Sequence, residues 1–316
     1  MRALVTGAAG FIGSHLSERL LERGDAVVGL DCFTDYYSPA LKRANVERLL
    51  GAPGFRLVEA DLLAADLPDL LRDVDVVFHQ AGQPGTRLSW SDQFRTYVDR
   101  NILATQRLLE ACRGSSIKRL VYASSSSVYG NSDTYPCRES TLPRPHSPYG
   151  VTKLAAEQLC DLYAANWGLP VVSLRYFTVY GPRQRPDMGI HIFLDAALRD
   201  VPVRVFGTGD QVRDFTYVKD VVEANIAAAE ADAAGPSLFN ISGGSSVSVA
   251  ALLDLMGELV GHPVLVEHLA EQPGDVRRTG GSTERAEALL SWKPQTGLED
   301  GLRAQLAWQR TLLAAG

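Results

Sequence analysis

Tyr149 and Lys153 stand four residues apart in Ser147-Pro148-Tyr149-Gly150-Val151-Thr152-Lys153. On a helix, positions i and i+4 share one face. Ser147 suits an N-cap and Pro148 the first turn, so a helix is expected to open here and to present both side chains together. A phenol titrates near ~10 and is a poor base at neutral pH, but a nearby ammonium favours tyrosinate and lowers that value. Such a pair could take a proton from a hydroxyl as hydride leaves the carbon that bears it. A serine run, Ala123-Ser124-Ser125-Ser126-Ser127-Val128-Tyr129-Gly130, closes a β-branched stretch. One of its hydroxyls could hydrogen-bond the same oxygen.

The hydride needs an acceptor, and the N-terminal residues offer a place for one. Thr6-Gly7-Ala8-Ala9-Gly10-Phe11-Ile12-Gly13 follows a strand-like run and opens a helical one. Gly7, Gly10 and Gly13 allow a tight turn, close approach to a pyrophosphate and helix–sheet packing. The N–H groups at Phe11 and Ile12 then face the phosphates. Asp31 lies 18 residues beyond Gly13, where a carboxylate would accept the ribose hydroxyls and repel a 2′-phosphate. The pattern therefore predicts NAD rather than NADP. Cys32 adjoins this position. Asp61-Leu62 and Gln80-Ala81-Gly82 close the next two strands, where the edges of a dinucleotide would lie. His79 reads as a structural strand-end residue, because Tyr149 and Lys153 form the better proton-transfer pair.

These residues need elements to hold them. Strands are expected at Ala3–Thr6, Ala26–Leu30, Arg56–Ala60, Val74–His79, Arg119–Ala123 and Val171–Arg175, and helices at Phe11–Arg23, Phe94–Arg113 and Tyr149–Trp167. Most of the strands read as apolar throughout, as strands buried on both faces do. Their alternation with helices predicts an α/β fold, a doubly wound parallel (Rossmann) sheet, over residues 1–175. Beyond Arg175, proline- and glycine-broken segments predict a smaller C-terminal α/β substrate lobe over 176–316. A segment near 214–242 returns to the first half, with Leu238–Ile241 as a strand of the main sheet.

The chain has 316 residues, 46% hydrophobic and 22% charged, with net charge −6. That balance excludes a basic nucleic-acid footprint, and no run approaches the ~20 apolar residues of a membrane span. Cys32, Cys112, Cys137 and Cys160 have no metal or redox spacing. With no leader-like start, they suggest thiols in a reducing cytoplasm.

Together, TGAAGFIG, ASSSSVYG and YGVTK resemble the extended short-chain dehydrogenase/reductase family, the branch of NAD-dependent sugar-nucleotide epimerases and dehydratases. The resemblance implies Ser125 as the catalytic hydroxyl, with Ser126 the alternative one residue on. It implies Asn101, Tyr176 and Val179 beside the cofactor, Arg213 on the nucleotide diphosphate, and Phe206 and Asp275 near the nucleotide. It also implies a homodimer built on Phe94–Arg113 and Tyr149–Trp167. The family's 4,6-dehydratases carry an Asp-Glu pair after the catalytic hydroxyl, where elimination needs an acid and a base. Its decarboxylases usually keep a glutamate at the position of Ser127. Ser126-Ser127 here fits C4 epimerisation instead, with NAD regenerated each turnover.

Several stretches are most similar to the UDP-glucuronate 4-epimerases: Asp31 to Tyr37, Arg175 to Pro182, Arg185-Pro186-Asp187-Met188 and Gln272-Pro273-Gly274-Asp275-Val276. Thr178 and Gln272 stand where UDP-glucose epimerases usually have Asn and Arg. Arg87 is expected at the substrate edge. Arg185 could grip a C5 carboxylate with both prongs, or only meet diphosphate or solvent, as could Arg183. Epimerisation of neutral UDP-sugars is the alternative activity. Decarboxylation or dehydration comes after it, and a non-catalytic dinucleotide sensor last.

Overall fold

The computed structural model describes residues 1–231, 237–270 and 276–315. Its strands are β1 (Arg2–Thr6), β2 (Ala26–Asp31), β3 (Phe55–Glu59), β4 (Val76–His79), β5 (Arg119–Ser125), β6 (Val171–Tyr176), β7 (Thr178–Tyr180), β8 (Val203–Phe206), β9 (Val212–Tyr217), β10 (Leu238–Ile241), β11 (Ser246–Ser248) and β12 (Val266–Leu269). Its α-helices are α1 (Phe11–Glu22), α2 (Pro39–Glu47), α3 (Leu67–Leu70), α4 (Phe94–Tyr97), α5 (Ala104–Arg113), α6 (Pro148–Trp167), α7 (Gly189–Leu198), α8 (Val218–Glu230), α9 (Val249–Val260), α10 (Glu284–Leu290) and α11 (Leu298–Ala315).

Seven strands form one sheet in the order β10-β6-β5-β4-β1-β2-β3, and every pairing in it is parallel. The order reverses between β1 and β4, which opens a crevice at their carboxyl ends. Alternation along the strands divides the core. Ala3, Val5, Val76, Phe78 and Val121 face one side with Leu16 and Leu20 of α1 and Val221 of α8. Leu4, Val77, Leu120 and Tyr122 face the other with Leu108 and Leu109 of α5 and Ala156 and Cys160 of α6. Burial on both faces explains why these strands read as apolar throughout. β3 is the exception: it lies at the sheet edge, and no residue in it is fully buried.

The remaining strands form a β11-β9-β7 sheet and a parallel β12-β8 pair. Phe94–Arg113, expected as one regular helix, contains a widened π segment at Val98–Leu103 between α4 and α5. Insertions of this kind collect at functional sites, and this one carries Asn101. No helix among the described residues is long and apolar enough to cross a membrane.

A buried ion pair joins β6 to α6. Glu157 and Arg175 are each 3% exposed. Arg175 Nη2 donates to Glu157 Oε1 at 2.5 Å and Nε to Oε2 at 3.0 Å, while Ser124 Oγ donates to Oε2 at 2.6 Å. Arg175 Nη1 donates to the Tyr129 hydroxyl at 2.8 Å, which donates to Asn240 Oδ1 of β10 at 2.7 Å. Glu157→Ala would strand the guanidinium without its counter-charge. The expected loss is about 3–5 kcal/mol of folding stability, read from chemical-denaturation midpoints. A loss within the scatter of surface substitutions would contradict the central place given to this pair.

Candidate active site

The turn after β1 is built for close approach. Gly7 has φ +71°, and a Cβ there would sit 2.8 Å from the Ala81 amide nitrogen. A Cβ on Gly13 would lie 2.1 Å from the Gly7 carbonyl oxygen. Any side chain would push α1 off the turn. Gly10 caps α1 without a side-chain hydrogen bond, so the first-turn N–H groups face the crevice and favour an anion. Asp31 ends β2 with Oδ2 accepting from Ala9 N at 3.0 Å and Oδ1 from Phe33 N at 2.8 Å. Each carboxylate oxygen keeps a lone pair for a further donor. These features fit a dinucleotide.

A cleft, partly open to solvent, runs from this turn to Tyr149. Its walls include Gly7, Gly10, Phe11, Ile12, Gly13, Asp31, Cys32, Asp61, Leu62, Gln80, Ala81, Gly82, Asn101, Tyr149, Lys153, Tyr176 and Arg185. Val179 is not among them; it is buried in the core. Asp61 also caps its own loop, accepting from Leu63 N at 2.8 Å. Gln80 is anchored to α8, donating to Asn225 Oδ1 at 2.9 Å and accepting from the Tyr176 hydroxyl at 3.1 Å. Asn101 accepts from Gln83 N at 2.6 Å and donates to Gln83 O and Thr152 Oγ1, both at 3.0 Å. The π segment thereby fixes the rim of the cleft to α6.

At the far end, Ser147 Oγ accepts from Gly150 N at 3.1 Å and caps α6. A Cβ on Gly150 would fall 2.6 Å from the Ser127 carbonyl oxygen. That closeness sets α6 directly against the serine loop. Ser125 Oγ accepts from Ser127 N at 3.2 Å, and the Ser125 side chain acts on the Tyr149 phenol.

Burial raises the Tyr149 pKa, while the Ser125 hydrogen bond and the charge of Arg185 pull it back. Lys153, the expected cation, lines the cleft together with Tyr149 and Arg185. Lys153 Nζ lies 4.6 Å from the centre of the Tyr122 ring. Burial draws the Lys153 ammonium down to about 8, against the opposing charge of Glu157.

Ser126, Thr178, Arg87, Phe206 and Arg213 are not among the walls of the cleft. Ser126 is half-buried in the serine loop, and Thr178 is half-buried at the start of β7. The Arg87 guanidinium stacks 4.4 Å from the centre of the Phe206 ring. Arg213 lies in β9, with Nη1 donating to Val212 O at 3.0 Å. Gln272 and Asp275 fall outside the described residues. Arg183 turns away from the cleft to Glu18 of α1 at 2.8 Å. Arg185 pairs with Asp187, and Tyr36 donates to the same carboxylate.

Sequence reasoning assigned no role to Tyr36, Lys42, Gln83, Arg100 or Asp187. Four of the five line the cleft; Asp187 is paired with Arg185. Lys42 offered the one signal, a cation on the buried face of α2, where its Nζ donates to Thr34 O and Oγ1 at 2.8 Å.

His79 is held as a relay of the fold. Thr6 Oγ1 accepts from Ala81 N at 3.2 Å and lies 2.8 Å from His79 Nδ1. Thr105 Oγ1 donates to Asn101 O at 2.7 Å and lies 3.0 Å from His79 Nε2. Those partners assign a neutral ring with the proton on Nε2, accepting at Nδ1. Burial holds its pKa near 3.

The sequence profile of the NAD dependent epimerase/dehydratase family matches residues 3–242. An uncharacterized UDP-glucose epimerase of Bacillus subtilis is 43% identical over 313 residues, covering 99% of each chain. The crystal structure of a UDP-glucuronic acid 4-epimerase from Bacillus cereus, in complex with UDP-glucuronic acid and NAD, is 42% identical. It superposes with a TM-score of 0.96 over 99% of this chain and 100% of that one. The structure of MoeE5 in complex with UDP-glucuronic acid and NAD is 43% identical, with a TM-score of 0.89 over 99% and 100% of the two chains.

Two buried histidines set an acid limit on this fold. His79 titrates near 3 and His15, also lowered chiefly by burial, near 4, against 6.5 when exposed. Below 6.5 the unfolded chain takes up protons that the folded chain refuses. Stability is therefore complete above that value and falls as the pH drops toward the folded-state values. Each histidine contributes up to about 1.4 kcal/mol per pH unit. Denaturation midpoints should fall between about pH 6.5 and 5, above the carboxylate range. A flat profile there would contradict the neutral, buried state of both rings.

Proposed function

The chain belongs to the NAD-dependent epimerase/dehydratase family, and on that premise we propose that it epimerises a UDP-sugar at C4, with UDP-glucuronate converted to UDP-galacturonate as its principal reaction. The observation that carries the choice of sugar is the place of Arg185. Arg185 lines the cleft together with Tyr149, so a guanidinium is available there to a carboxylate on the sugar. The Bacillus cereus epimerase and MoeE5, both bound to UDP-glucuronic acid and NAD, support the same reading.

NAD, when bound along the cleft, accepts hydride from C4 and returns it. The chain supplies the remaining parts. Tyr149 takes the proton of the 4-hydroxyl and later gives one back, and Ser125 holds the same oxygen by hydrogen bonding. Lys153 keeps a positive charge beneath the site. Two serines follow Ser125 in place of carboxylates, so the loop has no acid–base pair for eliminating water. The 4-keto sugar must turn over before hydride returns to its other face. Arg87, Phe206 and Arg213 hold the nucleotide end, with Gln272 and Asp275 assigned there by family resemblance.

A second reading, a neutral UDP-glucose substrate, is favoured by one observation: Asp187 already satisfies two donors of Arg185. Residues 1–175 with the returning segment near 214–242 serve the dinucleotide, and 176–316 mainly the sugar nucleotide. The four unpaired thiols suit a reducing cytoplasm. We also infer a homodimer. Leu103, Val151, Leu162 and Trp167 leave about half their surface exposed along the α4–α5 and α6 pair, and apolar surface of that kind suits a helix-to-helix interface.

Proton NMR of the purified protein with UDP-glucuronate and no added NAD should show UDP-galacturonate accumulating. Tyr149→Phe should slow this by roughly 10²–10⁴-fold. Spectra that stay unchanged even with NAD supplied would refute the glucuronate reading and move the search to UDP-glucose. Light scattering should give twice the 34.3 kDa chain mass; a single-chain mass would refute the dimer.

A further inference from the structure

The loop that presents Arg185 is fastened from behind. Gly181 N donates to Gln305 Oε1 at 2.7 Å, Gln305 Nε2 to Gln184 Oε1 at 2.7 Å, and Gln184 Nε2 to Val179 O at 2.9 Å. Gln184 and Gln305 are both buried. The backbone at Arg185 is therefore set by α11, and what its guanidinium meets depends on side chains in front.

The group it meets is a carboxylate. Arg185 Nε donates to Asp187 Oδ1 at 2.9 Å and Nη2 to Oδ2 at 3.0 Å. That is the two-pronged geometry by which arginine grips a carboxylate, and a sugar acid would seek the same edge. The Tyr36 hydroxyl donates to Asp187 Oδ2 at 3.0 Å and steadies the acid. The two partners are not equally placed. The Arg185 side chain is 19% exposed and that of Asp187 is 35% exposed. Asp187 has more water to move into than Arg185.

We propose that Asp187 is a specificity-determining residue, an internal carboxylate that competes with the substrate carboxylate for Arg185 and so narrows the site's preference for acidic over neutral UDP-sugars. The proposal rests on the UDP-sugar reading above. A neutral sugar brings a hydroxymethyl group to a pair whose charges already cancel, and pays no cost for facing an unpaired cation. An acidic sugar must share the outer edge of the guanidinium or turn Asp187 out toward solvent. Selectivity is a difference between two affinities, and a repulsive element changes it as surely as an attractive one. Removing the charge of Asp187 leaves Arg185 fully available to the acid and exposes the neutral sugar to an unpaired cation.

The test uses NAD-loaded protein carrying Tyr149→Phe, so that sugars bind without turnover. Affinities for UDP-glucuronate and UDP-glucose are measured by titration calorimetry, with and without Asp187→Asn. The expected result is a shift of the affinity ratio toward UDP-glucuronate by roughly tenfold, the scale of one hydrogen bond to a charged group. Asp187→Glu, which keeps the competing charge, should return the ratio close to its starting value. A ratio that stays constant, including by equal weakening of both sugars, or that moves toward UDP-glucose, overturns the proposal. If Asp187→Asn does not fold, Tyr36→Phe frees the acid from its second anchor and should move the ratio the same way by a smaller factor; no movement there overturns the proposal as well. If the starting protein binds neither sugar, the UDP-sugar reading falls and takes the proposal with it. If both sugars bind and the ratio is unmoved, only the role of Asp187 falls.

Discussion

The Glu157–Arg175 pair is the constraint around which the cleft is arranged. Burying two charges costs more than burying apolar groups of the same size, so its contribution is read from what it joins. Glu157 lies eight residues beyond Tyr149 and four beyond Lys153 on α6. Its carboxylate holds Ser124, the neighbour of Ser125, and Arg175, the neighbour of Tyr176. Ser125 and Tyr176 are paired in register across β5 and β6. One carboxylate thus ties together the helix that carries Tyr149 and Lys153, the strand end that carries Ser125, and the strand beside it. Its charge also helps keep the Lys153 ammonium protonated.

Around that centre the chain gathers positive charge it does not have in bulk. The net charge is −6, yet Lys42, Arg100, Lys153 and Arg185 all border the cleft. Potential focused in a crevice attracts ligands of opposite sign, and both the dinucleotide and the nucleotide sugar are anions. Asp31 and Asp187 are the counterweights, one at the ribose end and one at the sugar end. Each accepts from groups of the chain itself, so neither is a bare charge awaiting a ligand.

Much of this was legible in the sequence, and the reasons are local. Tyr149 and Lys153 are linked by helical spacing, the glycines by the demands of one turn, and the central strands by burial on two faces. The α/β sheet with its returning strand follows from that alternation, and β10 pairs with β6 at Leu238–Ile241. What escaped depends on contacts between distant residues or on irregular backbone. Nothing periodic marks Arg185 and Asp187, two apart in a loop. Arg183 and Arg185 read alike as letters, but Arg183 has φ +64° and turns the other way, toward α1. The π segment at Asn101 is a shift in helical winding that composition does not announce. A second cation of the cleft, Arg185, comes from a loop beyond β7, where no helical spacing ties it to Tyr149.

The glutamine ladder behind Arg185 has a consequence for the order in which the protein is made. The glycine turn, Asp31 and the crevice between β1 and β4 lie within the first 80 or so residues, and Tyr149 and Lys153 follow on α6. The support for Arg185 arrives much later, because Gln305 lies 121 residues beyond Gln184. On the ribosome, the first half of the cleft is therefore synthesised well before the residue that backs the Arg185 loop.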